Sequence, residues 1–334
     1  MRTASFAGVE RYLTYLGPEQ VRQGLDVTII GGEPVRMAAA LDGSGVSHLP
    51  SGSVSDDLRR VVATDPSIVH SHMTDADLVA VAARARHRRP VVSTLHFAKP
   101  RGRDAARRVL LAPLPKLMAS QIAISRFVAA HADVPDAVVI PNGVPWTYEE
   151  APREEVVLVA QRLEPEKATD VAIRAWAASG LADHGWRMVL AGSGSQRGHL
   201  ERLAADFGVR TSLDLVGAVD DIAHRQARCG IFLATAPAEP FGLAVVEAMA
   251  AGSPIVAAAG GAHAETVGSA GTDRLFPPGD ADAAADLLRR LAQDPGERWA
   301  HGASLRAEYL RSFTIERHTE RVVGTYHHVL GGRS

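Results

Sequence analysis

Glu239 and Glu247 bracket seven residues in the stretch 238–252, AEPFGLAVVEAMAAG. An apolar strand, GIFLATA at 230–236, precedes them, and Pro240 and Gly242 suit a tight turn from strand to helix. LAVVEAMAA then reads as a helix, so Glu239 falls on the loop at the carboxyl end of a strand and Glu247 on the second helical turn. The helix N-terminus between them offers unpaired N–H groups and a partial positive charge, which suits a phosphate. Carboxylates that grip hydroxyls on either side of an anion site fit a ligand that is part sugar and part diphosphate, a nucleotide sugar.

QRLEPEK (161–167) follows another strand and delivers Arg162 and Lys167 to its loop end. A planar arginine fork and a mobile lysine charge make a diphosphate clamp; the plain alternative is a solvated loop. The two spaced glutamates in the same half favour the clamp. Gly192 and Gly194, in AGSGSQRG (191–198), fit either a tight turn with close backbone approach or contact with the donor. Arg197 stands where a dinucleotide fingerprint needs its third glycine, which argues against a dehydrogenase. His96 closes the strand PVVSTLH (90–96), as a plain strand-end imidazole or as a cleft residue. HSH at 70–72 raises metal binding, but strand alternation is expected to send its two imidazoles to opposite faces, and no Cys or carboxylate cluster completes a site. Gly8, just before an apolar-periodic helix, brings backbone N–H groups within reach of a phosphate.

The elements that must position these residues alternate short β-branched runs with Ala- and Arg-rich amphipathic stretches, the pattern of an α/β chain with doubly wound parallel sheets. Strands are expected at 26–31, 67–72, 90–96, 121–125 and 137–143, then at 155–161, 187–193, 213–219, 230–236 and 254–260. Pro141, Asn142, Gly143 and Pro145 punctuate the crossing between halves. This gives a first domain at 1–146, a second at 147–312, and a helix and tail at 313–334 that crosses back to the first. Ligands of open parallel sheets bind beyond the carboxyl ends of strands, where His72, His96, Ser125, Arg162, Gly192 and Glu239 all fall. If the two domains face each other, those ends line one cleft.

Two ordinary domains fit 334 residues, and 46% hydrophobic content supplies ample core. The single Cys229 excludes a disulfide framework and suits a reducing compartment. No apolar leader or run of membrane-spanning length is seen, so a cytoplasmic protein is expected. A formal net charge of −2 gives no footing for nucleic acid. The charge is uneven, however: residues 84–116 hold ten Lys and Arg against one acid, Asp104. That stretch is a solvated basic face or a weak contact with an anionic membrane surface, which would make the protein peripheral at the inner membrane face.

With these motifs in place, the chain resembles the retaining glycosyltransferases of the GT-B fold, in the class known as group 1 or family 4. The resemblance runs through GVERY, VRQGLDVTIIGG, IVHSH, VVSTLH, IAIS, VIPNGV, QRLEPEK, LAGSGS, LVGAVDD, AEPFGLAVVEAMAAG and PIVAAAGG. It implies two Rossmann-like domains facing across a cleft. Arg162 and Lys167 would hold the departing diphosphate, Glu247 the ribose, and Glu239 the transferred sugar, with help from the N–H groups of Phe241, Gly242 and Leu243. His96 would lie beside the reacting sugar and Gly8 near the phosphates, while the loop 217–221, with Val219 and Asp220, would border the base. The implied chemistry is front-face substitution with retention, without metal or other cofactor, from a UDP-sugar in preference to a GDP-sugar. The acceptor would be a hydroxyl of a glycan, a lipid-linked molecule or a natural-product aglycone.

One departure matters. Such proteins begin with a buried central strand leading into the glycine turn, whereas here only MRTASF precedes Ala7 and Gly8. Neighbouring strands are then expected to lack a partner. This leaves two other readings beside the transferase: a donor-binding remnant without catalysis, and a GT-B epimerase or phosphorylase.

Overall fold

The computed structural model describes residues 1–3, 6–102, 104–132, 134, 136–145, 151–271 and 273–331. The chain divides into two compact units, Met1–Gly143 with Thr314–Ser334, and Val144–Phe313. The boundary read from sequence at 146/147 falls outside the described residues.

The first unit alternates helices with short strands: α1 (Gly8–Arg22), β1 (Thr28–Ile30), α2 (Pro34–Leu41), β2 (Ser47–Leu49), α3 (Val54–Ala63), β3 (Val69–His72), α4 (Thr74–His87), β4 (Val91–Leu95), α5 (Ala105–Leu111), β5 (Ser120–Ala123), α6 (Arg126–His131) and β6 (Val138–Val139). All pairings are parallel, but they form two sheets, β1-β2 and β3-β4-β5-β6. Among the described residues β1 and β3 do not pair, and the break between the sheets lies there. The Met1 amine donates to the Ile30 carbonyl at the end of β1, at 2.7 Å, and Arg2 pairs with Asp57 of α3. Glu10 fixes the start of α1: its carboxylate accepts the Ala7 N–H at 2.9 Å and the Thr3 hydroxyl.

The second unit continues with β7 (Glu154–Ala160), α7 (Thr169–Ser179), β8 (Arg187–Ala191), α8 (Arg197–Asp206), β9 (Leu213–Gly217), α9 (Ile222–Arg228), β10 (Cys229–Ala234), α10 (Leu243–Ala250), β11 (Ile255–Ala258), α11 (His263–Thr266), β12 (Leu275–Phe276), α12 (Ala281–Gln293) and α13 (Pro295–Ser312). Its strands make one six-stranded parallel sheet in the order β12-β11-β10-β7-β8-β9. β7 is first in the chain yet central in the sheet. The winding runs outward through β8 and β9, then returns to the other side of β7 at β10. That reversal is a topological switch point, the place where open parallel sheets hold ligands. Val157, Val159, Met188, Leu190, Ile231 and Leu233 from the sheet pack with Trp176 of α7 and Leu288 of α12 in one buried core. Each such large apolar side chain contributes about 1.5–3 kcal/mol.

The last helix, α14 (Ile315–Gly331), belongs to the first unit. Its Val322, Tyr326 and Val329 pack on Val92, Ile122 and Ile140 of that unit. An i, i+4, i+7 stripe of this kind buries one face of a helix against a sheet. The two strands absent from the sequence reading, β2 and β12, have three and two residues, too few to carry a period-two pattern.

Candidate active site

The switch point sets the loops after β7 and β10 side by side. Beyond β7, Pro165–Lys167 make one 3₁₀ turn, and Ala168 takes the left-handed backbone conformation at φ 47°, ψ 45°. The Lys167 carbonyl accepts the Gln161 side-chain amide at 3.2 Å and the Thr235 hydroxyl at 2.9 Å. These two bonds tie the ends of the neighbouring strands together and fix where the Lys167 side chain starts. Its Nζ donates to Oε2 of Glu239 at 2.5 Å. Both side chains are largely withdrawn from solvent, at 17% and 16% exposure.

Glu239 is held through its backbone by the loop after β11. It pairs with Gly261 in an isolated parallel bridge, and its carbonyl accepts the Ala262 N–H at 2.8 Å. Gly261 has φ +61°, and a Cβ there would lie 2.3 Å from the Glu239 carbonyl oxygen. Gly261→Ala is therefore expected to cost about 1–3 kcal/mol of stability and to displace Glu239. Chemical denaturation and donor affinity measured on the same sample check this, and an unchanged midpoint would show that the bridge yields freely.

Past Glu239, buried Phe241 packs edge-on against Phe313, ring centroids 6.2 Å apart. Gly242, at φ 86°, opens α10, and its carbonyl takes the N–H groups of Val245 and Val246. The N–H groups of Leu243 and Ala244 have no intrahelical acceptor, as at any helix start, and lie at the positive end of the helix dipole. Glu247 follows half-buried, one turn beyond Leu243 on the same helical face.

His263 joins this group, although nothing in its local pattern had marked it. It is 1% exposed, its Nδ1 donates to the Ala258 carbonyl at 3.1 Å, and its Nε2 lies 3.3 Å from where a Cβ on Gly242 would stand. Burial lowers its pKa, partly countered by the Glu239 carboxylate. A neutral imidazole with Nδ1 protonated thus leaves Nε2 as an acceptor behind the Glu239–Gly242 turn. The signal that was available is the pair Gly260-Gly261 directly after a strand, which marks a close backbone approach.

The other residues expected on the donor side lie in the same unit. Arg162 turns to Glu166 at 2.6 Å in an exposed pair rather than to Glu239. Gly192 and Gly194 answer to packing: Cβ atoms on them would lie 1.9 Å from the Gln161 carbonyl oxygen and 2.3 Å from that of Leu163. Glu164 latches the same two loops, accepting the N–H of Ser195 at 3.1 Å and its hydroxyl at 2.6 Å. Gly217 accepts the Gly192 N–H at 2.7 Å, which brings the loop carrying half-buried Val219 and exposed Asp220 alongside.

In the first unit, His96 lies just past β4, 8% exposed, its Nε2 3.0 Å from Nδ1 of His72 and its ring edge-on to Tyr12. The expectation for HSH is corrected: residues two apart in a strand share a face, and the rings of His70 and His72 lie 4.3 Å apart by centroid. His70 bonds Tyr326 at 2.5 Å and Thr94 at 2.7 Å, and His318 bonds Tyr12 at 2.9 Å and the Pro141 carbonyl at 2.7 Å. Desolvation pushes His70 and His96 down to about 3 and His318 to about 4. Gly8 is the first residue of α1, with open space where a Cβ would stand. Among the described residues no group of three or more His, Cys, Asp or Glu is placed to hold a metal ion, and no helix is long and apolar enough to cross a membrane.

Two family models match: glycosyl transferases group 1 over residues 145–306, and glycosyltransferase family 4 over residues 6–146. The chain belongs to the group 1 glycosyltransferases. Among relatives of this glycosyltransferase, a D-inositol 3-phosphate glycosyltransferase of Saccharomonospora viridis is 27% identical over 388 positions, covering 97% of this chain and 90% of that one. An exopolysaccharide phosphotransferase of Streptomyces coelicolor is 34% identical over 169 residues, 48% of this chain but 17% of the relative's length. The fold is shared with Anabaena HepE in complex with UDP-glucose, at TM-score 0.83 and 21% identity over 98% of this chain and 97% of that one. The glycosyltransferase fold thus has the GT-B arrangement, with two Rossmann-like units.

Proposed function

We propose that this glycosyltransferase moves a sugar from a UDP-sugar to an acceptor hydroxyl, with retention of configuration and without a metal ion. The observation that carries the reading is the contact of Lys167 with Glu239 beside the N-terminus of α10. It puts a cation for a leaving diphosphate next to a carboxylate for sugar hydroxyls. Arg162 adds the second cation; its exposed i,i+4 pair with Glu166 is worth about 0.3–0.5 kcal/mol and yields readily to a diphosphate. Phe241, Gly242 and Leu243 supply N–H groups, Glu247 the ribose contact, and Val219 and Asp220 the border of the base. His96 and Gly8 keep the roles that the family resemblance gives them. The bond from the anomeric carbon to the diphosphate breaks while the bond to the acceptor oxygen forms on the same face. The departing phosphate oxygen takes the acceptor's proton, and preorganised cations stabilise the developing charge. The UDP-glucose held by HepE supports a uridine donor. With one cysteine, Cys229, the sequence holds no disulfide framework, which suits a reducing, cytoplasmic setting.

A panel of UDP- and GDP-sugars tests the donor. A uridine ligand is expected to raise the melting temperature most, because a ligand that binds only the folded state stabilises it. Glu247→Ala is expected to weaken UDP binding by roughly tenfold to a hundredfold, the loss of about 1.5–3 kcal/mol for hydrogen bonds to a charged group. An unchanged Kd by calorimetry removes Glu247 from the ribose. Retention is read from the anomeric configuration of the product, with D-inositol 3-phosphate a first soluble acceptor to supply.

The divided sheet of the first unit favours a second reading, donor binding without transfer. Any acceptor-dependent product formed by the purified chain rejects it.

A further inference from the structure

We propose that α5 and the loops beside it form a docking surface for an anionic phospholipid bilayer. α5 is anchored by Leu111, 7% exposed, and the chain beyond it by Leu114, 4% exposed. Val109 and Leu110 stand 76% and 74% exposed, the one sequence-adjacent pair of large apolar side chains so placed among the described residues. Phe97 and Leu117, at 43% and 45% exposure, extend the apolar content of the same connection between β4 and β5.

Basic residues dominate this connection. Arg107 and Arg108 precede the apolar pair and are exposed, as is Lys116. Lys99 lies over the Phe97 ring at 5.4 Å, and Arg84 donates to the Leu117 carbonyl at 2.6 Å. The one acid of the segment, Asp104, is engaged in capping α5, accepting the Arg107 N–H at 2.9 Å. Arg101 is not part of the surface: it is buried against Asp77 at 2.9 Å and fixes the base of the loop.

Aliphatic side chains at a tip with arginines beside them match a bilayer interface, where apolar groups enter the acyl boundary and cations meet lipid phosphates. Four exposed apolar side chains, Phe97 among them, are few for a stable protein interface, which buries more than about 1,000 Å². Single-stranded nucleic acid would call for several stacking aromatics, and this connection exposes one. Bilayer docking by α5 is independent of the proposed transfer reaction.

Co-sedimentation of the full chain with phosphatidylcholine vesicles, with and without phosphatidylglycerol, tests it. Binding is expected only to the anionic vesicles and should fall with added salt. Val109→Asp/Leu110→Asp and, separately, Arg107→Glu/Arg108→Glu are each expected to lower the partition coefficient by about tenfold or more. Both variants should keep the wild-type melting temperature. If either fails to fold, Val109→Cys carrying an environment-sensitive fluorophore replaces it. Buried Cys229, its thiol pushed up to about 11, stays unlabelled, and emission should shift to the blue with anionic vesicles alone. Wild-type protein that ignores anionic vesicles, binds neutral ones equally, or gives no spectral shift overturns the proposal.

Discussion

Lys167→Ala is expected to lower kcat by about 10²–10³, close to 3–4 kcal/mol, with a smaller change in KM. The size follows from where the ammonium sits. It is 17% exposed, and the bonds of Gln161 and Thr235 to its backbone carbonyl fix its origin, so little reorganisation is needed as a diphosphate leaves. Removing it also strips Glu239 of its counter-charge, and this second effect has to be separated from the first. Glu239→Gln in the Lys167→Ala background does so. If Lys167 serves only to pair Glu239, the double variant recovers turnover. If it clamps the leaving group, the double variant stays at least as slow as Lys167→Ala, and the non-additivity measures the contact itself. Turnover of Lys167→Ala within about threefold of wild type, under saturating donor, ends the clamp assignment. Lys167→Arg should recover part of the loss, since a guanidinium keeps the charge but not the compact ammonium that fits against Glu239.

That contact also shows how far the sequence could be read. Periodicity and turn residues placed Lys167 and Glu239 each on the loop after a strand, with the strand ends expected within a residue or two of the observed ends of β7 and β10. They could not say that β7 and β10 are neighbours. Sheet order comes from packing between segments more than 70 residues apart, as in the 72-residue separation of this ion pair. The same limit hid His263, whose place depends on β11 lying beside β10 and on two glycines that let one loop bridge another. It hid His318 and Tyr326 as well: these face Tyr12, His70 and Gln20 of the first unit only because α14 packs back onto it, across up to 306 residues of chain. The expectation that neighbouring strands lack a partner meets a first unit whose described strands fall into β1-β2 and β3-β4-β5-β6.

Those buried histidines make acid the sharpest stress on the first unit. His70, His72, His96 and His318 are all held below their ordinary pKa, in each case first by desolvation and then by neighbouring cations or imidazoles. A histidine unfolded titrates near 6.5, whereas His70 and His96 in the fold titrate near 3 and His318 near 4. On acidification the unfolded chain therefore takes protons that the folded chain refuses. The stability is fully present above about pH 6.5 and drains away as pH falls toward the folded values. At pH 5 each such histidine costs about 2 kcal/mol, so even two of the four would remove about 4 kcal/mol from the first unit. Buried Asp77, its carboxyl pushed up by desolvation, acts in the opposite sense at the acid end of the range. The second unit carries two buried histidines lowered in the same way, His263 and His301, and should lose less. Hydrogen exchange, corrected for intrinsic rates, is expected to show β3, β4 and β5 losing protection between pH 7 and 5 before β7, β8 and β10. His318→Gln, which keeps a side-chain donor and acceptor but no titration, should flatten the slope of stability against pH by about 1.4 kcal/mol per unit in that window. A slope unchanged by that substitution would mean that His318 takes up its proton without unfolding, and that the Tyr12–His318–Pro141 chain of hydrogen bonds accommodates the charge.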